Sequence, residues 1–234
     1  MMRQYQEIKN RNPDHVLFYR LGDFYEMFFE DAKTASKVLN ITLTTRGKHM
    51  GVEIPLAGFP HHQLENYLSK MIRSGYKVAV CDQTENPKYA KGIVKRDITE
   101  IVTAGTAISD SMIEKDSNNY IACIFRSRDG RCGFAAADVS TGEFTAYDIE
   151  DEEKLTEAVS LFSPSEIIIP ATDTAGLKNE NITCTHIEDH KFSPVFTSDT
   201  IKKYYGISSL TSLGFRDEEI CVMCAGVLLD YLKE

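Results

Sequence analysis

Apolar positions recur along this chain with two different periods, and the change from one to the other marks out its elements. Residues 2–10 carry Tyr5 and Ile8 on one side and read as a short helix stopped by Asn12-Pro13. Val16–Leu21 alternates like a strand, with Val16, Phe18 and Arg20 on one face and Leu17, Tyr19 and Leu21 on the other. Gly22-Asp23 then turns the chain into Phe24-Tyr25-Glu26, and the run beyond becomes helix-like. Phe29–Leu39 sets Ala32, Ala35, Val38 and Leu39 at helical spacing, with Asn40 placed to cap it. Residues 41–45 are strand-like, Arg46-Gly47-Lys48-His49 follows as a basic turn, and residues 52–57 form a strand ended by Gly58-Phe59-Pro60. Residues 61–74 are the clearest helix of this half, with the stripe Leu64, Tyr67, Leu68, Met71 and Ile72 and a stop at Gly75. Residues 76–83 and 98–103 are strands joined by a loop over 85–92. Helices and strands interleave, which is an α/β pattern.

Residues 104–118 are small, polar and charged, as a linker is. Beyond them, residues 120–125, 131–138 and 143–149 predict three strands, with Asp129-Gly130 and Ser140-Thr141-Gly142 as the turns. A helix with Leu155, Ala158, Val159 and Phe162 leads to a buried-type strand at Ile167-Ile168-Ile169, ended by Pro170. Residues 218–232 predict a final helix. The expected organisation is a first domain over 1–107, a linker over 108–118 and a second domain over 119–234.

Composition is that of an ordinary globular protein, 42% hydrophobic and 26% charged over 234 residues. No apolar run is long enough to span a bilayer, and the polar start is not a secretory signal. Six cysteines without a dense framework fit reduced thiols in a cytoplasmic protein. The net charge of -9 is divided unevenly. Residues 1–107 hold 15 Lys and Arg against 12 Asp and Glu, net +3, whereas the remainder holds 11 against 23, net -12. The asymmetry points to different partners for the two halves.

If residues 24–26 are extended, Phe24 and Glu26 project from one face. An aromatic ring beside a carboxylate suits a nucleic-acid base as a common target, although a core aromatic next to a solvated acid has the same spacing. Arg46, Lys48, Lys88, Lys91, Lys95 and Arg96 are candidates for phosphate contacts, each equally readable as a solvated surface charge. Pro55 and Leu56 are candidates for lining a groove beside the pair, and equally for core packing. Cys221 and Cys224 have redox-motif spacing but share a helix face with apolar residues, which makes them buried thiols. Cys184, His186 and His190 lack the second ligand pair that a metal site requires, and His61-His62 at a helix start reads as structural.

Several stretches, in order, resemble the amino-terminal part of the MutS family of DNA mismatch recognition proteins. They are GDFYEMF (22–28), IPLAGFPHH (54–62), ENYL (65–68), VAVCDQ (78–83), DITEIVTAGT (97–106), DVSTGEF (138–144) and the SPSEII run (163–168). Ala104 stands where the family usually has proline. The resemblance implies a mixed-sheet mismatch-binding domain followed by a ribonuclease H-like α/β connector domain that lacks catalytic acids. It also implies that Phe24 stacks on a mispaired or unpaired base from the minor groove while Glu26 hydrogen-bonds that base. The implied partners are double-stranded DNA with mismatches or small loops, MutL through the connector, and a second copy in the full-length protein. The 234 residues alone are expected to be mainly monomeric. There is no GxxxxGK[ST] phosphate loop here, so the family's ATP and Mg belong to a domain outside these residues, and neither catalytic residues nor a cofactor is expected within them. The alternative of a different class is a metal-dependent nuclease on the ribonuclease H-like fold. That chemistry needs converging carboxylates, but the strand YIACIF has none and Asp138 stands alone at a strand end.

Overall fold

The structure is a computed structural model that describes residues 1–49, 52–85, 92–107, 118–174, 182–216 and 219–233. The chain separates into two compact units, Met1–Glu114 and Lys115–Glu234. Both are mixed α/β, each built on one sheet containing parallel and antiparallel pairs.

The first unit runs α1 (Met2–Arg11), β1 (Val16–Leu21), β2 (Phe24–Phe28), α2 (Phe29–Leu39), β3 (Thr44–His49), β4 (Val52–Pro60), α3 (Leu64–Arg73), β5 (Val78–Gln83) and β6 (Arg96–Val102). The sheet order is β3-β4-β2-β1-β5-β6, with only β1 and β5 parallel. Alternation along β1 and β2 sorts their side chains onto two faces. One face buries Val16, Phe18, Tyr25 and Met27 with Ala57, Phe59 and Val80 beneath α2 and α3. The other buries Leu17, Tyr19 and Phe28 with Ile54, Ala79 and Cys81 beneath Tyr5 and Ile8 of α1. Asp31 ties that second layer together. Its buried carboxylate accepts from the Leu17 amide at 3.1 Å, the Lys9 ammonium at 2.9 Å and the Tyr5 hydroxyl at 3.3 Å, so a charge in the interior is fully partnered. Asn40 closes α2 in the left-handed conformation, φ 54°.

Two expectations are corrected here. Residues 46–49 are not a turn but the second part of β3, reached through an irregularity between Thr45 and Lys48. Gly47, at φ +68°, supplies the backbone conformation that such a bulge requires. Gly58, Phe59 and Pro60 do not end a strand either, because they continue β4 and pair with Glu26, Tyr25 and Phe24. Gly58 is needed there for close approach. A Cβ at this position would meet the Tyr25 carbonyl oxygen at 2.9 Å.

The second unit has β7 (Tyr120–Arg126), β8 (Cys132–Asp138), β9 (Glu143–Ile149), α4 (Glu152–Phe162), β10 (Glu166–Pro170), β11 (Thr183–Ile187), α5 (Pro194–Tyr205) and α6 (Cys221–Tyr231). An antiparallel meander β7-β8-β9 is extended on the other side of β7 by parallel β10 and β11. β8 is buried along its whole length. Its Ala135 and Ala137 face a layer with α5 and α6, and Phe134 and Ala136 face α4. β11 and α5 have no counterpart in the hydrophobic periodicity. Each buries too few side chains to leave a readable stripe, Thr185 on β11 and Thr197 with Ile201 on α5. Cys221 and Cys224 are buried in α6 and form no disulfide, and burial pushes both thiols up, away from the reactive thiolate.

Candidate nucleic-acid interface

β1 and β2 form a hairpin closed by Gly22-Asp23, with Leu21 paired to Phe24. A two-residue turn of this kind takes glycine at its first position, and Gly22 has φ +62°. β2 is extended, so Phe24, Glu26 and Phe28 share the face that α1 covers. The cover reaches only part of the strand: Phe28 is buried against Tyr5, while Phe24 is 46% exposed. The ring is thus open to a stacking partner at the hairpin tip, and it stands beside a carboxylate.

Two neighbours brace this tip. The Asp23 carbonyl accepts from the His61 amide at 2.8 Å and from the His61 ring Nδ1 at 3.1 Å, which places the ring proton on Nδ1. On the inner face, the Tyr25 hydroxyl donates to Asp82 at 2.8 Å. Burial and that carboxylate push the Tyr25 phenol up to about 12. His61, expected only to start a helix, thus fixes the turn that presents Phe24.

Glu26 is held by Arg46, whose guanidinium approaches its Oε2 at 2.8 Å, with side-chain exposures of 17% and 48% respectively. Burial raises the Glu26 pKa and Arg46 pulls it back, leaving it above the ordinary glutamate value. The structure therefore joins Arg46 to the Phe24–Glu26 pair.

The other candidates separate. Leu56 lies on the same face as Glu26 and packs at the border of the α1 layer. Pro55, one residue earlier in β4, falls on the opposite face, so the two cannot line one groove. Lys95 is exposed. Lys88 and Lys91 lie outside the described residues, as does the side chain of Lys48. Arg96 is buried instead of lying on the surface. It is 7% exposed, donates to the Arg20 carbonyl at 2.6 Å and the Val94 carbonyl at 2.7 Å, and lies over the Tyr19 ring at 5.2 Å. Its charge sits in the packing of the first unit, engaged by protein carbonyls and the Tyr19 ring. Arg96→Ala is expected to cost about 1–3 kcal/mol, because two partly buried carbonyls lose their charged donor. Urea unfolding followed on the first unit checks this. An unchanged midpoint, with weakened DNA binding instead, would return Arg96 to the surface set.

In the second unit the Asp138 carboxylate is taken up by its own turn, accepting from the Ser140 amide at 2.8 Å and hydroxyl at 2.6 Å. Arg126 likewise occupies Glu152 at 2.8 Å and Asp173 at 2.6 Å. Among the described residues no group of three or more His, Cys, Asp and Glu is arranged to hold a metal ion, Cys184, His186 and His190 included. Among the same residues no helix is long and apolar enough to cross a membrane.

Fold and site together define a class: two mixed α/β units, the first presenting an exposed aromatic and a paired carboxylate on an open strand face. Comparison with known proteins narrows it. Residues 1–111 match the family model for MutS domain I and residues 119–234 that for MutS domain II. A DNA mismatch repair protein MutS from Lachnoclostridium phytofermentans is 42% identical across 99% of this chain. Those from Thermodesulfovibrio yellowstonii and Chlorobaculum parvum are 41% and 42% identical across all of it. The chain belongs to the MutS family. It spans about a quarter of the length of these relatives, 26%, 27% and 27%.

Proposed function

We propose that this chain recognises mismatched or looped DNA for mismatch repair, with Phe24 as a wedge that enters the minor groove and Glu26 as the group that hydrogen-bonds the displaced base. The exposed Phe24 ring beside a carboxylate on the braced hairpin carries this reading. An apolar wedge costs roughly a few kcal/mol of unstacking at an intact step and less where pairing is already defective. Any base can meet the ring because every base has a stacking face, so the wedge senses defects rather than sequence. A carboxylate adds discrimination, since near phosphates it is repelled unless a base donor meets it. Arg46 and Lys95 are the described basic residues placed to set the backbone, with Lys48, Lys88 and Lys91 as further members of that set.

The second unit acts as a connector that relays the bound state to ATPase machinery elsewhere in a full-length family member and presents a surface to MutL. By itself this chain is a monomer that binds DNA weakly, without catalytic residues or a cofactor of its own. A nuclease reading has no comparable support, because Asp138, Glu152 and Asp173 each have local partners.

The test is competition between a G·T or single-base-loop duplex and homoduplex, using a full-length family member that carries this chain as its domains I and II. Glu26→Gln is expected to tighten homoduplex binding several-fold and mismatch binding much less, shrinking the preference. A preference that stays the same would remove Glu26 from the reading.

A further inference from the structure

The Glu26–Arg46 pair has features that a permanent structural salt bridge does not need. It reaches from edge strand β3 to β2 across β4. The β4 residue paired with Glu26 is Gly58, where even a Cβ would stand 3.4 Å from the Glu26 side chain, so that position contributes no group to the carboxylate. Among the described residues Arg46 is therefore the counter-charge. Yet the arginine is the exposed partner, 48% against 17%, and it sits beside the bulge and Gly47 on a strand with no neighbour on its outer side among the described residues. Among the described residues its hydrogen bond to Glu26 is the one it makes. A planar guanidinium binds carboxylate and phosphate with the same donor fork.

We propose that Arg46 is a shared cation: it neutralises Glu26 while the face is empty and transfers to a backbone phosphate when duplex DNA docks. This rests on the reading that the Phe24–Glu26 face meets DNA, and it adds a specificity-determining residue to that face. The transfer uncovers a carboxylate in a half-buried setting beside phosphates. At a mismatch the displaced base supplies a donor and the carboxylate is satisfied again. At an intact pair it is left without one. Every duplex thus gains the Arg46–phosphate contact and loses the Arg46–Glu26 contact, and only a defective one recovers the difference. Raised by burial and lowered by Arg46, the Glu26 pKa accords with a half-buried carboxylate that Arg46 neutralises.

The exchange predicts the sign of a coupling. Breaking the ion pair is a cost of binding only when Glu26 is present, so Arg46 contributes less to affinity beside glutamate than beside glutamine. Four proteins form the cycle: wild type, Arg46→Gln, Glu26→Gln and the double variant. Each is titrated with fluorescent homoduplex and G·T duplex over a series of salt concentrations. The 234-residue chain is used, and in parallel a full-length family member carrying it as domains I and II. Arg46→Gln is expected to weaken homoduplex binding about threefold in the wild-type background and about tenfold in the Glu26→Gln background, an antagonistic coupling near 0.7 kcal/mol. It should also reduce the slope of log K against log salt by about 0.9, the signature of one lost phosphate contact. Arg46→Lys should restore that slope, which a purely structural role would not require. An equal or larger loss beside Glu26 means that the pair persists on DNA, and overturns the exchange. An unchanged salt slope overturns it as well, since Arg46 then meets no phosphate. If Glu26→Gln alone leaves both duplexes bound as before, the reading of the face fails and the proposal with it, whereas a Glu26 effect without an Arg46 effect removes the proposal only.

Discussion

Phe24→Ala is expected to abolish the preference for a G·T or single-base-loop duplex while leaving weak homoduplex binding and an unchanged melting temperature. The ring is 46% exposed, so truncation removes little from the core and creates no cavity. What it removes is a stacking surface of roughly 1–3 kcal/mol per base, which corresponds to about a 5- to 150-fold loss of mismatch affinity. Homoduplex loses much less, because insertion at an intact step has to disrupt good stacking to gain that same contact. The background that remains comes from phosphate contacts and should keep its salt dependence. Phe28 is the internal control. Two residues further along the same face it is buried against Tyr5, and Phe28→Ala should cost about 3–5 kcal/mol of stability. If Phe24→Ala behaved like Phe28→Ala, lowering stability while the preference survived, Phe24 would be a packing residue. The part played by this unit would then have to rest on other side chains.

Gly226→Val should destabilise the second unit. A Cβ at Gly226 of α6 would lie 2.4 Å from the Thr197 Cβ, 2.5 Å from its Cα and 2.8 Å from its carbonyl oxygen on α5. Two of those three atoms are backbone, so no rotamer change relieves the clash and α5 must move away. Thr197 is itself fully buried, and its hydroxyl donates to the Ser193 carbonyl at 3.1 Å, so the movement would disturb the start of α5 as well. Overpacking of this kind costs about 1–3 kcal/mol and occasionally more. Gly226→Ala should be milder, since alanine recovers about 1 kcal/mol of helix propensity. Thermal unfolding resolved by unit, through hydrogen exchange, checks both variants. The second unit should lose roughly 3–6 °C per kcal/mol and the first unit should not respond. A Gly226→Val protein as stable as wild type would show that α5 and α6 are free to separate.

These two positions illustrate what a sequence reading reaches and what it does not. That Phe24 and Glu26 share a face is legible in the sequence, because alternation alone decides it once β2 is extended. Gly226 carried no such signal. A glycine inside an apolar helix pattern reads as a small loss of propensity, and the reason for it is Thr197, far back in the chain on a helix with no clear stripe. The burial of Arg96 is hidden from the sequence for a related reason. A basic residue in a polar stretch looks exposed in one dimension, but its side chain crosses to the Arg20 carbonyl and the Tyr19 ring on β1. The partner of Arg46 leaves no trace in the sequence, because the link to Glu26 runs across two strand pairings interrupted by a bulge. A structural role for His61 is legible at a helix start, and only the fold shows that what it steadies is the turn beside Phe24.

By itself the sequence determined the mixed α/β class of both halves, most strands and helices, the αL cap at Asn40, the buried character of Cys221 and Cys224, and the family. All of these depend on residues near one another in the chain: a period of two or 3.6, a cap, a turn, a contiguous motif. The tertiary structure alone decided the strand order, the continuation of β3 and β4 through glycines that looked like stops, the burial of Arg96 and the pairing of Glu26 with Arg46. Each of those is a contact between residues distant in sequence, and a one-dimensional pattern records such a contact only when it repeats along an element. A single guanidinium reaching across a sheet leaves no period behind.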